Sequence, residues 1–109
     1  MGLTKSTLFT AQENRMAELA KAIGHPARVA IIRHLVVTNA CICGDLVDVL
    51  RLSQSTVSQH LRALKQVGLI KGNIEGTSTC YCINQEVWEE AKLIFTQLCT
   101  SLSREESCC

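Results

Sequence analysis

Hydrophobic positions recur with a helical period along most of this chain. Met16, Leu19, Ala20 and Ile23 fall three or four residues apart, the spacing of one face of an α-helix. Thr10 and Glu13 open that run with capping-box spacing, in which each side chain satisfies the other residue's free backbone N–H. Gly24 and His25 end the helix and Pro26 opens the next, because a missing N–H costs nothing in a first helical turn. Ala27, Ile31 and Leu35 are the buried positions expected of this second helix, and Thr38 and Asn39 break it. A third, short helix is expected from about residue 43 to 50, with Leu46, Val49 and Leu50 facing inward. Leu52 and Ser53 interrupt it. Ser53 is the candidate N-cap of a fourth helix with Val57, Leu61 and Leu64 as its apolar stripe and Gly68 as its C-terminal glycine.

The period then shortens to that of strands. Residues 69–74 and 79–83 are β-branched and apolar, and Glu75, Gly76, Thr77 and Ser78 separate them, which is a hairpin signal. A last helix starts near Gln85 and carries Val87, Ala91, Ile94, Phe95 and Leu98. Residues 1–8 read as a loose arm and 103–109 as a flexible tail. The expectation is a single domain over 1–109, mainly α with a small β-hairpin. Two short helices joined by a break and followed by a hairpin form a winged helix-turn-helix.

Composition adds limits. Hydrophobic residues make up 47% of the chain but aromatics only 4%, so small aliphatic side chains build the core, which suits packed helices. A core of 109 residues is limited, and pairing with a second copy would stabilise it, so a dimer is expected. No apolar run approaches the ~20 residues needed to span a bilayer, and no secretion signal opens the chain. No membrane association and a cytoplasmic location are therefore expected. There the seven cysteines are thiols, metal ligands or redox sensors rather than structural disulfides.

A net charge of +1 does not announce nucleic-acid binding, but its distribution does more. Between positions 49 and 74 there is no acid, while Arg51, Arg62, Lys65 and Lys71 are basic and His60 is a further candidate cation. From 84 to 109, five acids face two bases. A local basic face on a neutral protein is what tracking phosphates needs. Opposite the apolar stripe of the fourth helix lie Gln54, Ser55, Ser58, Gln59 and Arg62, with Thr56 and His60 at the margins. Gln pairs with adenine in the major groove, Arg with guanine, and Ser or Thr with bases or phosphates. Ser53 at the helix start and Lys71, Asn73 and Thr77 on the hairpin extend this candidate surface for double-stranded DNA. No Ser–His–Asp set, nucleotide loop or paired-acid site points to an enzyme. The Cys41-Ile-Cys43 spacing is not the C-x-x-C of thiol oxidoreductases.

From Ala22-Ile-Gly-His-Pro-Ala-Arg28 through LSQSTVSQHLRALKQVGLIKGNIEGTSTCYCI, the chain resembles the ArsR/SmtB family of metal- and metalloid-responsive repressors. The likeness covers roughly residues 12 to 100 and is most specific in GHPAR, SQHLRALKQVGLI and the EGT segment of the hairpin. It implies a homodimer, joined through the first and last helices, that binds an operator of two half-sites without a cofactor and leaves it when an inducer binds. Cys41-Ile-Cys43-Gly-Asp45-Leu-Val resembles the family's arsenic-site motif at the start of the helix before the recognition helix. Arsenite or antimonite is then the expected inducer, since trivalent arsenic and antimony take three thiolates and soft ligands suit soft ions. Cysteines at a helix N-terminus also ionise readily. Two side chains diverging from one turn bind one atom only if that turn distorts, and the distortion would be the signal.

The motif departs from the family at Gly44, which is inserted, and at Val47, where some members carry a third cysteine. Cys108 and Cys109 on the tail are the candidates for the third thiolate, ahead of Cys99. Cys80 and Cys82 fall on one face of the second hairpin strand, with Tyr81 and Ile83 toward the core. They are either partly exposed small residues or a second metalloid site. The alternatives within the same fold are a persulfide or redox sensor, pairing Cys41 or Cys43 with Cys99 or the tail, and cadmium or zinc binding by four thiols. His25, His34 and His60 are scattered and read as structural or DNA-facing.

Overall fold

The computed structural model describes residues 8–38, 40–44, 46–74 and 79–101. Helix α1 (Ala11–Ile23) begins as the capping box requires, with Thr10 Oγ1 accepting from Glu13 N and Glu13 Oε1 accepting from Thr10 N, each at 3.0 Å. Leu19 and Ala22 are its buried residues. Helix α2 (Pro26–Thr38) buries Ile31, Ile32 and Leu35, while Ala27 is only half-buried.

The third helix departs from expectation. Ile42–Cys43 form a short strand, β1, and helix α3 is confined to Val47–Leu50. Gly44 accounts for the difference, since its φ of +107° is open to glycine and strained for other residues. The chain stays extended up to that point, so its polar groups pair across strands rather than along a helix. Gly44 N donates to Thr79 O, and Thr79 Oγ1 donates to Gly44 O, each at 2.9 Å. Leu46 is buried as expected, but Val49 is 55% exposed. One turn of helix has one inward side, and Leu46 already fills the core position beneath it.

Ser53 caps helix α4 (Gln54–Gln66), its Oγ accepting from Thr56 N at 3.3 Å. Strands β2 (Ile70–Asn73) and β3 (Cys80–Ile83) follow, then helix α5 (Gln85–Thr100). The expected hairpin is part of a three-stranded antiparallel sheet of order β1-β3-β2. Ile42 lies opposite Tyr81 and Cys43 opposite Cys80, while on the other side of β3 Lys71 lies opposite Cys82 and Gly72 opposite Tyr81. Leu19, Ile31, Leu35, Leu46, Leu64, Leu69, Ile70 and Tyr81 form one continuous core between the helices and this sheet. Among the described residues, no helix is long and apolar enough to cross a membrane.

Candidate nucleic-acid interface and thiol cluster

Helix α4 divides its residues by face. Val57, His60, Leu61 and Leu64 are buried, whereas Gln54, Ser55, Gln59 and Arg62 are exposed and Thr56 and Ser58 half-buried. The Ser53 hydroxyl also donates to Thr56 Oγ1 at 2.8 Å, and its oxygen lies 3.4 Å from Ser55 Oγ. Ser53 is thus engaged first in starting the helix. Lys65 Nζ donates to Gly72 O at 2.7 Å, tying the last turn of α4 to the hairpin, and Lys71 is exposed on β2. Thr77, Asp45, Cys108 and Cys109 lie outside the described residues.

His60 is corrected by the structure. It is 7% exposed, and its Nδ1 accepts from Arg28 Nε at 3.0 Å. Its ring centroid lies 4.5 Å from that of His25. Arg28 also donates to Ala22 O at 3.1 Å, and His25 Nδ1 accepts from Ala27 N at 3.0 Å. The GHPAR segment therefore grips α4 from behind, and His60 faces that grip rather than the outer surface. Its spacing with Val57 and Leu64 is the signal that places it on the apolar stripe.

Burial holds the His60 pKa below the usual histidine value, aided by His25 and Arg28. A depressed folded-state pKa means that the unfolded chain takes up the proton first as pH falls. The stabilisation is complete above about pH 6.5 and is lost as pH falls toward the folded-state value. Denaturant unfolding at pH 7.5 and 5.5 should show lower stability at pH 5.5. The gap should narrow in His60→Gln, which has no proton to gain.

A second polar tie had no counterpart in sequence spacing. Arg15 of α1 makes a two-pronged contact with Glu90 of α5, Nε and Nη2 each donating at 3.0 Å, and Nη2 also donates to Val67 O at the end of α4 at 3.1 Å. The hydrogen bond from Arg15 holds the Glu90 carboxyl below its usual pKa. Residues 75 positions apart leave no periodic trace.

The cysteines regroup. Cys41 and Cys43 do not start a helix but lie along the β1 edge, so the helix-terminus argument for their ionisation does not apply. Alternation puts Ile42 and Tyr81 on the core side and the sulfurs on the other, and Tyr81 is 1% exposed. Cys41 is joined to Cys82 and Cys43 to Cys80 as disulfides, with Cα–Cα distances of 4.2 and 4.0 Å. Sequence favours thiols, metal ligands or redox sensors over structural disulfides and offers Cys99 or the tail as redox partners, but antiparallel register sets Cys41 and Cys43 opposite Cys82 and Cys80 instead. Cys41, Cys43 and Cys80 are exposed and Cys82 is half-buried. Cys99 is free among the described residues and lines an apolar groove between α1 and α5 with Leu19, Ile23, Trp88 and Phe95. In this oxidised state, no group of three or more His, Cys, Asp or Glu among the described residues is set to hold a metal ion.

A helix pair α3–α4 followed by a β2–β3 wing, with a polar and acid-free outer face on α4, defines a winged helix-turn-helix transcriptional regulator. The family model described as bacterial regulatory protein, arsR family, matches residues 25–71. The chain is 37% identical over 82 residues to an HTH-type transcriptional regulator of Methanocaldococcus jannaschii, covering 73% of this chain and 91% of that one. It is 31% identical over 112 aligned residues to the arsenical resistance operon repressor of Bacillus subtilis, covering all of both. The crystal structure of the transcriptional regulator HlyU from Vibrio vulnificus superposes with a TM-score of 0.56 at 29% identity, over 89% of this chain and 98% of that one. This protein belongs to the ArsR family of transcriptional regulators, and its relatives are regulators rather than enzymes.

Proposed function

We propose that the protein is a cytoplasmic, homodimeric repressor that holds a double-stranded operator and releases it when arsenite or antimonite binds the Cys41 and Cys43 thiolates. The observation that carries this reading is the position of the two cysteines, Cys43 on and Cys41 just before a strand laddered to β3 of the wing, both exposed. A ligand gathered there acts on the wing and on the segment that leads into α3. The likeness to an arsenical resistance operon repressor over the full length supports the choice of ion.

Gln54, Ser55, Ser58, Gln59 and Arg62 read base edges, while Ser53 and Thr56 sit where the α4 N-terminus meets a phosphate. Lys71, exposed on β2, reaches the DNA backbone from the wing. The apolar groove between α1 and α5, with Leu93 and Leu98 exposed on α5, is the surface a second copy covers. Two-fold pairing then sets two recognition helices one DNA turn apart.

Arsenite added to the protein–operator complex should weaken binding about 5- to 150-fold, the range of a ~1–3 kcal/mol coupling. The reduced Cys41→Ser/Cys43→Ser variant should bind the operator normally and stay bound. Release of that variant at the parental arsenite concentration would sink the assignment. Arg62→Ala should lose about 1–3 kcal/mol of operator affinity if it pairs with guanine, and parental affinity should fall steeply with salt. Fluorescence anisotropy at several salt concentrations checks both.

The joined pairs favour a second reading, in which a hydroperoxide oxidises the thiols and is itself reduced to an alcohol and water. Mass spectrometry after peroxide treatment would show peptides linked 41–82 and 43–80. Operator binding indifferent to that oxidation would exclude it.

A further inference from the structure

We infer that Cys80 and Cys82 complete the inducer site: when reduced, the four thiols of β1 and β3 form one soft-ion site, from which a trivalent metalloid takes any three. It rests on the reading of Cys41 and Cys43 as inducer ligands. Cysteine pairs directly opposite in an antiparallel ladder have Cβ atoms about 4.5–5.5 Å apart. Positions two apart on one strand share a face at about 7 Å. The register Ile42–Tyr81 and Cys43–Cys80 puts all four sulfurs at the corners of such a rectangle, on the side away from the core. The observed Cα–Cα separations of 4.2 and 4.0 Å close its short edges. An ion bonded to sulfur at about 2.3 Å fits above the centre, within reach of every corner.

Two neighbours favour occupation. Lys71 is the register partner of Cys82 and Asn73 of Cys80, so both stand on the same sheet face as the thiols. A hollow of about 320 Å3, bounded by Val36, Ala40, Gln85 and Trp88, opens beside Cys41 and Cys82 and gives neutral arsenous acid its approach. The sheet has already ordered the four cysteines, whereas a tail cysteine would add the entropy of closing a loop.

The chemistry balances without a change in arsenic oxidation state. Each disulfide is first opened by two equivalents of a small-molecule thiol, which leave as their own disulfide. Three protein thiols then replace the three hydroxyls of arsenous acid, forming three As–S bonds and releasing three waters.

The test uses the full chain, reduced with a phosphine, and sodium arsenite, without DNA. X-ray absorption should count three sulfurs around one arsenic per chain. Because any three corners suffice, each single replacement (Cys41→Ser, Cys43→Ser, Cys80→Ser or Cys82→Ser) should keep three sulfurs. Cys80→Ser/Cys82→Ser should fall to two, with affinity at least tenfold weaker, and Cys108→Ser/Cys109→Ser should match the parent. Cadmium as a second probe should show four sulfurs in the parent and three in every single variant. Three sulfurs and parental affinity in Cys80→Ser/Cys82→Ser, or their loss in the tail variant, would overturn the wing assignment while leaving Cys41 and Cys43 as inducer ligands. Arsenite release of operator by Cys41→Ser/Cys43→Ser would instead overturn the reading beneath it. The singles keep the proposal decidable if the double variant fails to fold.

Discussion

Tyr81→Ala should cost about 3–5 kcal/mol, the usual range for deleting a large buried ring, and leave the chain with little or no stable fold. Tyr81 is 1% exposed and among the largest fully buried side chains. It stands on β3 between Cys80 and Cys82, with Ile42 opposite on one side and Gly72 on the other. Its ring is therefore both core and the underside of the thiol-bearing face. A protein of this size gains only some 5–15 kcal/mol from folding, so the loss is a large part of the total. Urea unfolding followed by circular dichroism checks it. Tyr81→Phe, which keeps the ring, should fold, and equal stability of the Ala and Phe variants would refute the packing argument.

Gly72→Val should remove about 3 kcal/mol by forcing β2 away from β3. Gly72 has φ +120°, a conformation that costs a side-chain-bearing residue about 1–3 kcal/mol. A Cβ there would also run into the Cys80 carbonyl oxygen and stand 2.9 Å from Tyr81 Cα. Both are backbone atoms of the paired strand, so relief requires β2 to part from β3, and forced overpacking costs a further 1–3 kcal/mol or so. Melting should fall by about 10–20 °C at this chain length. Because Gly72 O also receives the Lys65 ammonium, the variant should lose operator affinity even where it remains folded. Unchanged melting would show that the β2–β3 ladder yields more easily than its geometry implies.

What could be read from sequence was local. The Thr10–Glu13 box, Pro26 at the head of α2 and Ser53 at the head of α4 are each fixed by residues a few positions apart, and each stands where the spacing put it. The polar outer face of α4 was legible for the same reason. His60 was misplaced because its chemistry outweighed its spacing, although it sits on the helix's own apolar stripe. The start of α3 was misjudged because the partner of Ile42 is Tyr81, some 39 positions away. No local pattern distinguishes a helix start from a strand whose mate is that distant. The same distance hid the pairing of Cys41 and Cys43 with Cys82 and Cys80. One trace was available: two C-x-C units, each with a single apolar residue between its cysteines, match the period of a strand better than that of a helix.

The Arg15 bridge turns α4 into a lever. Its guanidinium fastens the end of that helix, at Val67, to α1 and α5 together. Thirteen residues of helix reach about 20 Å from that fixed point, and Gln54, Ser55, Ser58 and Gln59, the side chains proposed to read bases, lie toward the other end. A tilt of only ~10° about the fastened end sweeps the tip by ~3.5 Å, about the 3.4 Å rise between successive bases. Val57, His60 and Leu61 pack that helix into the core, so a modest angular change in α4 would be felt there and would at the same time bring the side chains proposed to read DNA out of step with the bases by about a pair.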